Sequence, residues 1–219
     1  MRCSSLSRGG IFLLGTALFA QEGPWSGTFM IGISHWAGLG EVALPPSGFE
    51  VERLGNFRPM GGNLELGLYR HRVLGPGLEL QGGGEFGVLW HESRTHTTFT
   101  DFAGRNRREG APAANAGHLT GSLRLVWPRG RLTPFLGLGL GYYRLVFKEV
   151  FGDMTVDTSA HSEALGGFLT AGLDVRSGTA FAVRVDAQLH EVSFAGASLR
   201  GQRVSGPITT LRLGGVFRF

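Results

Sequence analysis

The sequence predicts an all-β chain that folds as an eight-stranded antiparallel up-and-down transmembrane β-barrel. Three observations point there. Apolar and polar residues alternate with period two in eight separate segments, and the connections between those segments alternate short and long. Gly is 37 of 219 residues and charged residues are only 17%, against averages of roughly 7% and 25% in soluble domains.

Composition narrows the alternatives. Hydrophobic residues at 42%, with 16 Phe, exclude a disordered chain. There is no Gly-X-Y period, so the glycines do not mark a collagen. No apolar run approaches the ~18 residues of a membrane helix. Residues 1–20 read as a secretory signal: Arg2 and Arg8 make a positive start, 11–19 an apolar stretch, and Ala20 a small residue before the cut. Cleavage after Ala17 is the alternative. The only cysteine, Cys3, precedes the apolar stretch, so it is no lipoprotein cysteine and the exported chain has no thiol. The domains expected are therefore 1–20, signal, and 21–219, barrel. Lys+Arg at 21 against Asp+Glu at 17 falls further when Arg2 and Arg8 leave, so no nucleic-acid partner is expected.

The eight segments follow in order. In 25–35, Trp25, Phe29, Ile31 and Ile33 alternate with Ser26, Thr28 and Ser34. In 63–71, Leu64, Leu66 and Leu68 alternate with Asn63, Glu65 and Tyr69. In 78–91, Leu80, Phe86, Val88 and Trp90 alternate with Glu79, Gln81, Glu85 and His91. In 118–127, Leu119, Leu123, Leu125 and Trp127 alternate with His118, Thr120, Ser122 and Arg124. In 134–143, Leu136, Leu138, Leu140 and Tyr142 alternate with glycines. In 165–175, Leu165, Leu169, Leu173 and Val175 alternate with Thr170, Gly172 and Asp174. In 181–190, Phe181, Val183, Val185 and Leu189 alternate with Arg184, Asp186, Gln188 and His190. In 209–219, Leu211, Leu213, Phe217 and Phe219 alternate with Thr210, Arg212 and Arg218. About ten residues is the length a tilted strand needs to cross a bilayer.

Connections 72–77, 128–132 and 176–179 are short and carry Gly or Pro, whereas 37–59, 92–115, 147–162 and 193–207 are long. Short periplasmic turns and long outside loops are the outer-membrane pattern, with aromatics such as Trp25, Trp90, Trp127, Tyr142 and Phe219 forming girdles near strand ends. A soluble barrel would point its apolar face inward. The uninterrupted apolar face suits lipid instead, and the Gly-rich face with charges of both signs suits a narrow polar interior. The glycines also permit the tight curvature of a small barrel.

Three stretches resemble the small eight-stranded outer-membrane proteins, the porin-like, opacity-type and OmpA-like barrels. Thr133-Pro134-Phe135-Leu136-Gly137-Leu138-Gly139-Leu140-Gly141-Tyr142 is similar to that family's Pro-aromatic-x-Gly-x-Gly-x-Gly-Tyr strand. Gly172-Leu173-Asp174-Val175-Arg176 is similar to the turn before its seventh strand, and 211–219 to its C-terminal strand. The resemblance implies that Phe217 and Phe219 form an assembly signal read by the barrel-assembly machinery, with periplasmic chaperones, outer-membrane lipid and lipopolysaccharide as further partners. It implies a monomer in the bacterial outer membrane. The sequence stops at Phe219, so no peptidoglycan-binding domain is expected, a departure from the larger two-domain members.

The motifs specify architecture rather than catalysis. Gly137-Leu138-Gly139-Leu140-Gly141 has the wrong spacing for a dinucleotide loop and precedes no helix. Some barrels resembling this one deacylate lipid A with a His-x-Ser-Asn motif. Here His190-Glu191-Val192-Ser193 lacks the Asn and places His and Ser on opposite faces. No catalytic residue, cofactor or metal is expected, although His91, His118 and His190 share the inward face and could meet a zinc ion. Arg94, Arg105, Arg107 and Arg108 crowd one long loop, which is either a solvated loop or a set of forks for lipopolysaccharide phosphates.

Inward charges are Glu65, Glu79, Glu85, Asp174 and Asp186 against Arg124, Arg184, Arg212 and Arg218. They either line a small pore or pair into a plug. The plug is preferred, because eight strands leave little room and buried charge must be paired. The expected role is a non-enzymatic surface protein acting through four long loops, in membrane integrity, adhesion or ligand contact. A passive channel for small apolar molecules opening sideways, with Pro134 as the candidate wall break, is one alternative. A lipid A-modifying hydrolase is the other.

Overall fold

The computed structural model describes residues 25–44, 53–94, 97–100, 107–151, 154–196, 199 and 202–219. The predicted signal segment lies outside the described residues. The strands are β1 (Trp25–Trp36), β2 (Glu41–Leu44), β3 (Arg53–Asn56), β4 (Met60–Gly75), β5 (Leu78–Glu92), β6 (Thr97–Thr100), β7 (Arg107–Val126), β8 (Leu132–Phe151), β9 (Met154–Arg176), β10 (Phe181–Ala195) and β11 (Arg203–Arg218). Period-two alternation makes each a two-faced ribbon, and closure removes the sheet edges.

Strands β5, β4, β1, β11, β10, β9, β8 and β7 pair antiparallel in that order, and β5 pairs with β7 to complete the ring. The start of β1 and the residue after β11 help close it. Trp25 N–H donates to the Phe219 carbonyl at 3.2 Å and Phe219 N–H to the Trp25 carbonyl at 3.0 Å.

The faces are inverted relative to a soluble protein. Outward Leu66, Leu119, Leu138, Leu165 and Leu211 are 51–83% exposed, while inward Arg124, Arg184 and Arg212 are each 1% exposed. Lipid is the medium in which such a surface is stable, and a closed barrel satisfies every backbone group within it. Glycines on the inward face of β8 make this possible. A Cβ at Gly137, Gly139 or Gly141 would overlap the side chains of Arg124, Phe168 and Thr120. These glycines therefore leave room for large neighbours as well as for curvature.

Three expectations need correction. The long connections contain strand: β7, β8 and β9 run on for 20, 20 and 23 residues, and a β2–β3 hairpin lies within 37–59. About ten residues cross a bilayer, so the remainder stands clear of it, needs no apolar face and shows weaker alternation. Pro134 does not break the wall. It pairs with Leu173 in an unbroken β8–β9 register from Leu132 to Val146, and its carbonyl accepts from Trp127 N–H at 2.9 Å. The interior, finally, is polar only in part. Toward the long-connection end it becomes a hydrophobic cluster that includes Trp36, Leu89, Leu145, Phe147, Val192, Phe194 and Ile208.

Candidate functional site

Among the described residues, chemistry-bearing side chains converge in the lumen, which is layered. At the short-turn mouth, Glu79 lies 3.8 Å from Arg218 and 3.4 Å from His71, whose Nε2 is 2.7 Å from Ser26 Oγ. Deeper in, Arg184 opposes Asp174 across β10 and β9 and grips it bidentately at 2.6 and 2.9 Å. Arg124 donates to Glu85 at 2.9 Å, and its guanidinium stacks 4.1 Å from the Tyr69 ring and 5.2 Å from Phe135. Arg184 covers Phe135 as well, at 4.4 Å.

The middle layer is one connected network. Arg212 donates twice to Asp186, at 2.7 and 2.8 Å, and also meets Glu65. Glu65 lies 3.2 Å from His118 Nε2. Glu85 accepts from Ser122 at 2.7 Å and from Gln188 at 3.0 Å. The expected charges thus fall into three groups: Glu79 with Arg218 at the mouth, Asp174 with Arg184, and the central set Glu65, Glu85, Arg124, Asp186 and Arg212. Buried charge without a partner is costly, and cross-strand placement supplies one for each of these.

Above the network lies an aromatic floor. His190 sits among Tyr143, His118 and Phe168 at ring separations of 5.9, 5.6 and 5.3 Å. The Tyr143 hydroxyl is 2.9 Å from His190 Nδ1. His91 stands apart. Its Nδ1–H donates to the Arg58 carbonyl at 3.2 Å and its ring packs edge-on against Trp36. Among the described residues, no group of three His, Cys, Asp or Glu could hold a metal ion. His190 is buried and Ser193 exposed on the opposite face, so the two do not form a nucleophile and base.

The hydrophobic cluster then fills the mouth at the long-connection end. Phe57 packs on Phe147 at 5.3 Å and Trp36 on Phe194 at 5.7 Å. Leu39, Val42 and Phe57, from the segment holding the β2–β3 hairpin, are each 2% exposed, and Leu199 is fully buried. Arg58 N–H donates to the Glu92 carbonyl and Arg94 N–H to the Asn56 carbonyl, tying that segment to the top of β5. The signal for this cluster is present in the sequence: the inward phase of β8 changes from glycine to Tyr143, Leu145 and Phe147.

Elsewhere, Phe217 faces outward, 42% exposed, and its ring lies 5.1 Å from Phe181. Arg94 is exposed, Arg107 and Arg108 begin β7, and Arg105 lies outside the described residues.

Among the described residues, β9 and β10 part before their other pairings end. Pairing of β9 with β10 stops at Gly166–Val192, whereas β8–β9 continues to Phe151–Met154 and β10–β11 to Ala195–Arg203. Above that point, among the described residues, Ser162 Oγ–H donates to the Ala195 carbonyl at 2.9 Å.

The barrel is similar in fold to Neisserial surface protein A, at a TM-score of 0.52 and 9% identity, over 89% of this chain and 96% of that one. The chain has the fold of the small eight-stranded outer-membrane β-barrels. Ail, the attachment invasion locus protein of Yersinia pestis, aligns with this barrel at a TM-score of 0.42 and 14% identity, over 91% of this chain and 100% of that one. The outer membrane protease OmpT from Escherichia coli aligns at 0.37 and 9%, over 90% and 94%. At such identities the likeness concerns the fold alone. No protein-family model matches the chain, and no curated protein matches it.

Proposed function

We propose that the chain is an integral, non-enzymatic, monomeric protein of the bacterial outer membrane. In this reading it is exported by a cleaved signal at 1–20 and acts at the cell surface through the structures above its long-connection end. One observation carries this reading: the lumen is closed twice, by the Glu65–Arg212–Asp186 network and by the cluster around Trp36, Phe147 and Phe194. A doubly closed barrel is a scaffold rather than a pore. What it offers the exterior is the set of long hairpins of β7, β8 and β9, suited to adhesion or ligand contact with lipopolysaccharide or another surface. Phe217 and Phe219, outward at the end of β11, serve as the assembly signal for the barrel-assembly machinery, reached with periplasmic chaperones. The test is single-channel recording in planar bilayers with the heat-modifiable, folded protein. Near-zero conductance is expected, and an open pore in the unmutated protein would overturn the reading. N-terminal sequencing of the inserted protein should begin at Gln21.

A second reading, sideways passage of small apolar molecules, is favoured by the interruption above Gly166–Val192. Leu165 and Ser193 flank it outside, and Val192, Phe194 and Tyr143 lie inside. Uptake of a short alkane by cells carrying the protein tests it. Leu165→Trp with Ser193→Trp should block uptake, while Leu140→Trp on the intact wall should not. No uptake above that of cells lacking the protein would remove this reading.

A further inference from the structure

The two rims of the barrel differ in charge. At the long-connection end, exposed Glu92, Glu163 and Glu191 mix with exposed Arg58, Arg94, Arg144 and Arg203. At the short-turn end, Arg70, Arg72, Arg129 and Arg131 are exposed and Arg176 half-buried, and no Asp or Glu among the described residues is exposed there. The acids of that end are occupied inside. Asp174 is held by Arg184, and Glu79 lies inside the mouth with His71 and Arg218, also within the field of Arg176.

The arginines fall into two sets. Arg129 and Leu132 exchange backbone hydrogen bonds of 2.8 and 3.1 Å around Gly130, whose φ of 61° suits this tight turn. Arg176 N–H donates to the Arg131 carbonyl at 2.8 Å, so the turn and the end of β9 are directly joined. Arg129, Arg131 and Arg176 therefore share one patch. Arg70 and Arg72 occupy successive outward positions of β4, with Arg70 stacked 5.9 Å from the Trp25 ring. Like charges gathered on one rim repel, and an anion between them relieves that repulsion.

Their position selects the anion. Arg70 and Arg72 continue the outward column Leu64, Leu66, Leu68. Arg131 stands at the foot of Leu132, Leu136, Leu138 and Leu140, and Arg176 follows outward Val175 half-buried at the lip of the mouth, on the phase of Asp174. Trp25 is partly exposed beside the first set, and Trp127 precedes the second, as interfacial rings do. Each set thus lies near the foot of the apolar exterior, with Leu74 following Arg72 on the outward face of β4, and the planar guanidinium fork suits a lipid phosphate at that level.

We propose that the short-turn rim is a binding site for anionic glycerophospholipid in the adjoining leaflet. Arg129, Arg131 and Arg176 hold one phosphate region, and Arg70 with Arg72 holds a second. The proposal rests on the membrane reading of the barrel, and the experiment separates the two.

The full protein is refolded in neutral detergent, and heat-modifiable migration verifies the barrel. Native mass spectrometry then measures retention of cardiolipin, phosphatidylglycerol and phosphatidylethanolamine. Cardiolipin and phosphatidylglycerol should be retained over phosphatidylethanolamine, and added salt should weaken them. Arg129→Gln, Arg131→Gln and Arg176→Gln combined should weaken cardiolipin binding about a hundredfold, each arginine near an anionic lipid contributing roughly a factor of five. Arg70→Gln with Arg72→Gln should give a smaller loss, and Arg144→Gln with Arg203→Gln at the other end none. Equal retention of the three lipids, an equal loss in the far-end variant, or preferential capture of soluble acidic peptidoglycan fragments would overturn the proposal. A barrel that never inserts into detergent or lipid would instead overturn the membrane reading.

Discussion

Asp186 on β10 and Arg212 on β11 stand directly opposite each other and meet through two hydrogen bonds, 2.7 and 2.8 Å long, at 2% and 1% exposure. Arg212 also meets Glu65 on β4, across β1. One guanidinium therefore ties three strands together. An exposed cross-strand ion pair contributes roughly 0.2–1 kcal/mol, but removing one partner of a buried pair costs about 3–5 kcal/mol because the other charge is stranded. Arg212→Ala strands two carboxylates and should cost more than Asp186→Asn, which leaves Glu65 to Arg212. Adding Asp186→Asn to Arg212→Ala should recover part of the loss. Urea unfolding of the refolded barrel measures each variant, and strictly additive losses would show that the pair is not coupled.

The opposition of Asp186 and Arg212 was legible in the sequence, because alternation fixes the face and the connection between the last two strands fixes the register to within about one residue. The same holds for Arg184 with Asp174. The Arg124 sandwich between Tyr69 and Phe135 was not legible, since it joins residues of three strands and depends on the glycine at position 137. The height of β7 to β9 was obscured where Arg144, Val146 and Lys148 replace the lipid-facing column. The interruption above Gly166–Val192 falls between two strands that each continue with their other neighbour, so no local composition announces it.

Phe219 has separable backbone and ring roles. Deleting it removes two hydrogen bonds to Trp25, an expected loss of about 2 kcal/mol at roughly 1 kcal/mol each. Phe219→Ala keeps those bonds and removes only the ring. If the ring is an assembly signal, Phe219→Ala should refold in detergent with nearly unchanged stability yet accumulate unassembled in cells. Normal assembly of Phe219→Ala in cells would remove the signal role.

Opposite placement of His190 and Ser193 gives a chemical expectation. A serine nucleophile needs its base within hydrogen-bond reach, and here the strand lies between them. Lipid A from a host with unmodified lipid A should keep its mass when the protein is expressed. Loss of an acyl chain, abolished by His190→Ala or Ser193→Ala, would establish a hydrolase.

Two closures in series make conductance a conjunctive property. Arg212→Ala disrupts the charged layer, but the cluster around Trp36, Phe147 and Phe194 still fills the mouth above it. Phe147→Ala with Phe194→Ala opens the mouth, but Arg212 remains locked between Asp186 and Glu65 below. Each change alone should leave single-channel conductance near that of the unmutated protein, while the three substitutions together should raise it. Stability must be matched by working below the unfolding midpoint of the triple variant, so that an open barrel is compared with closed ones rather than with unfolded chains. A full conductance increase from Arg212→Ala alone would mean that the hydrophobic cluster is no barrier to ions. An increase from Phe147→Ala with Phe194→Ala alone would mean that the ion pairs line a pore instead of closing it.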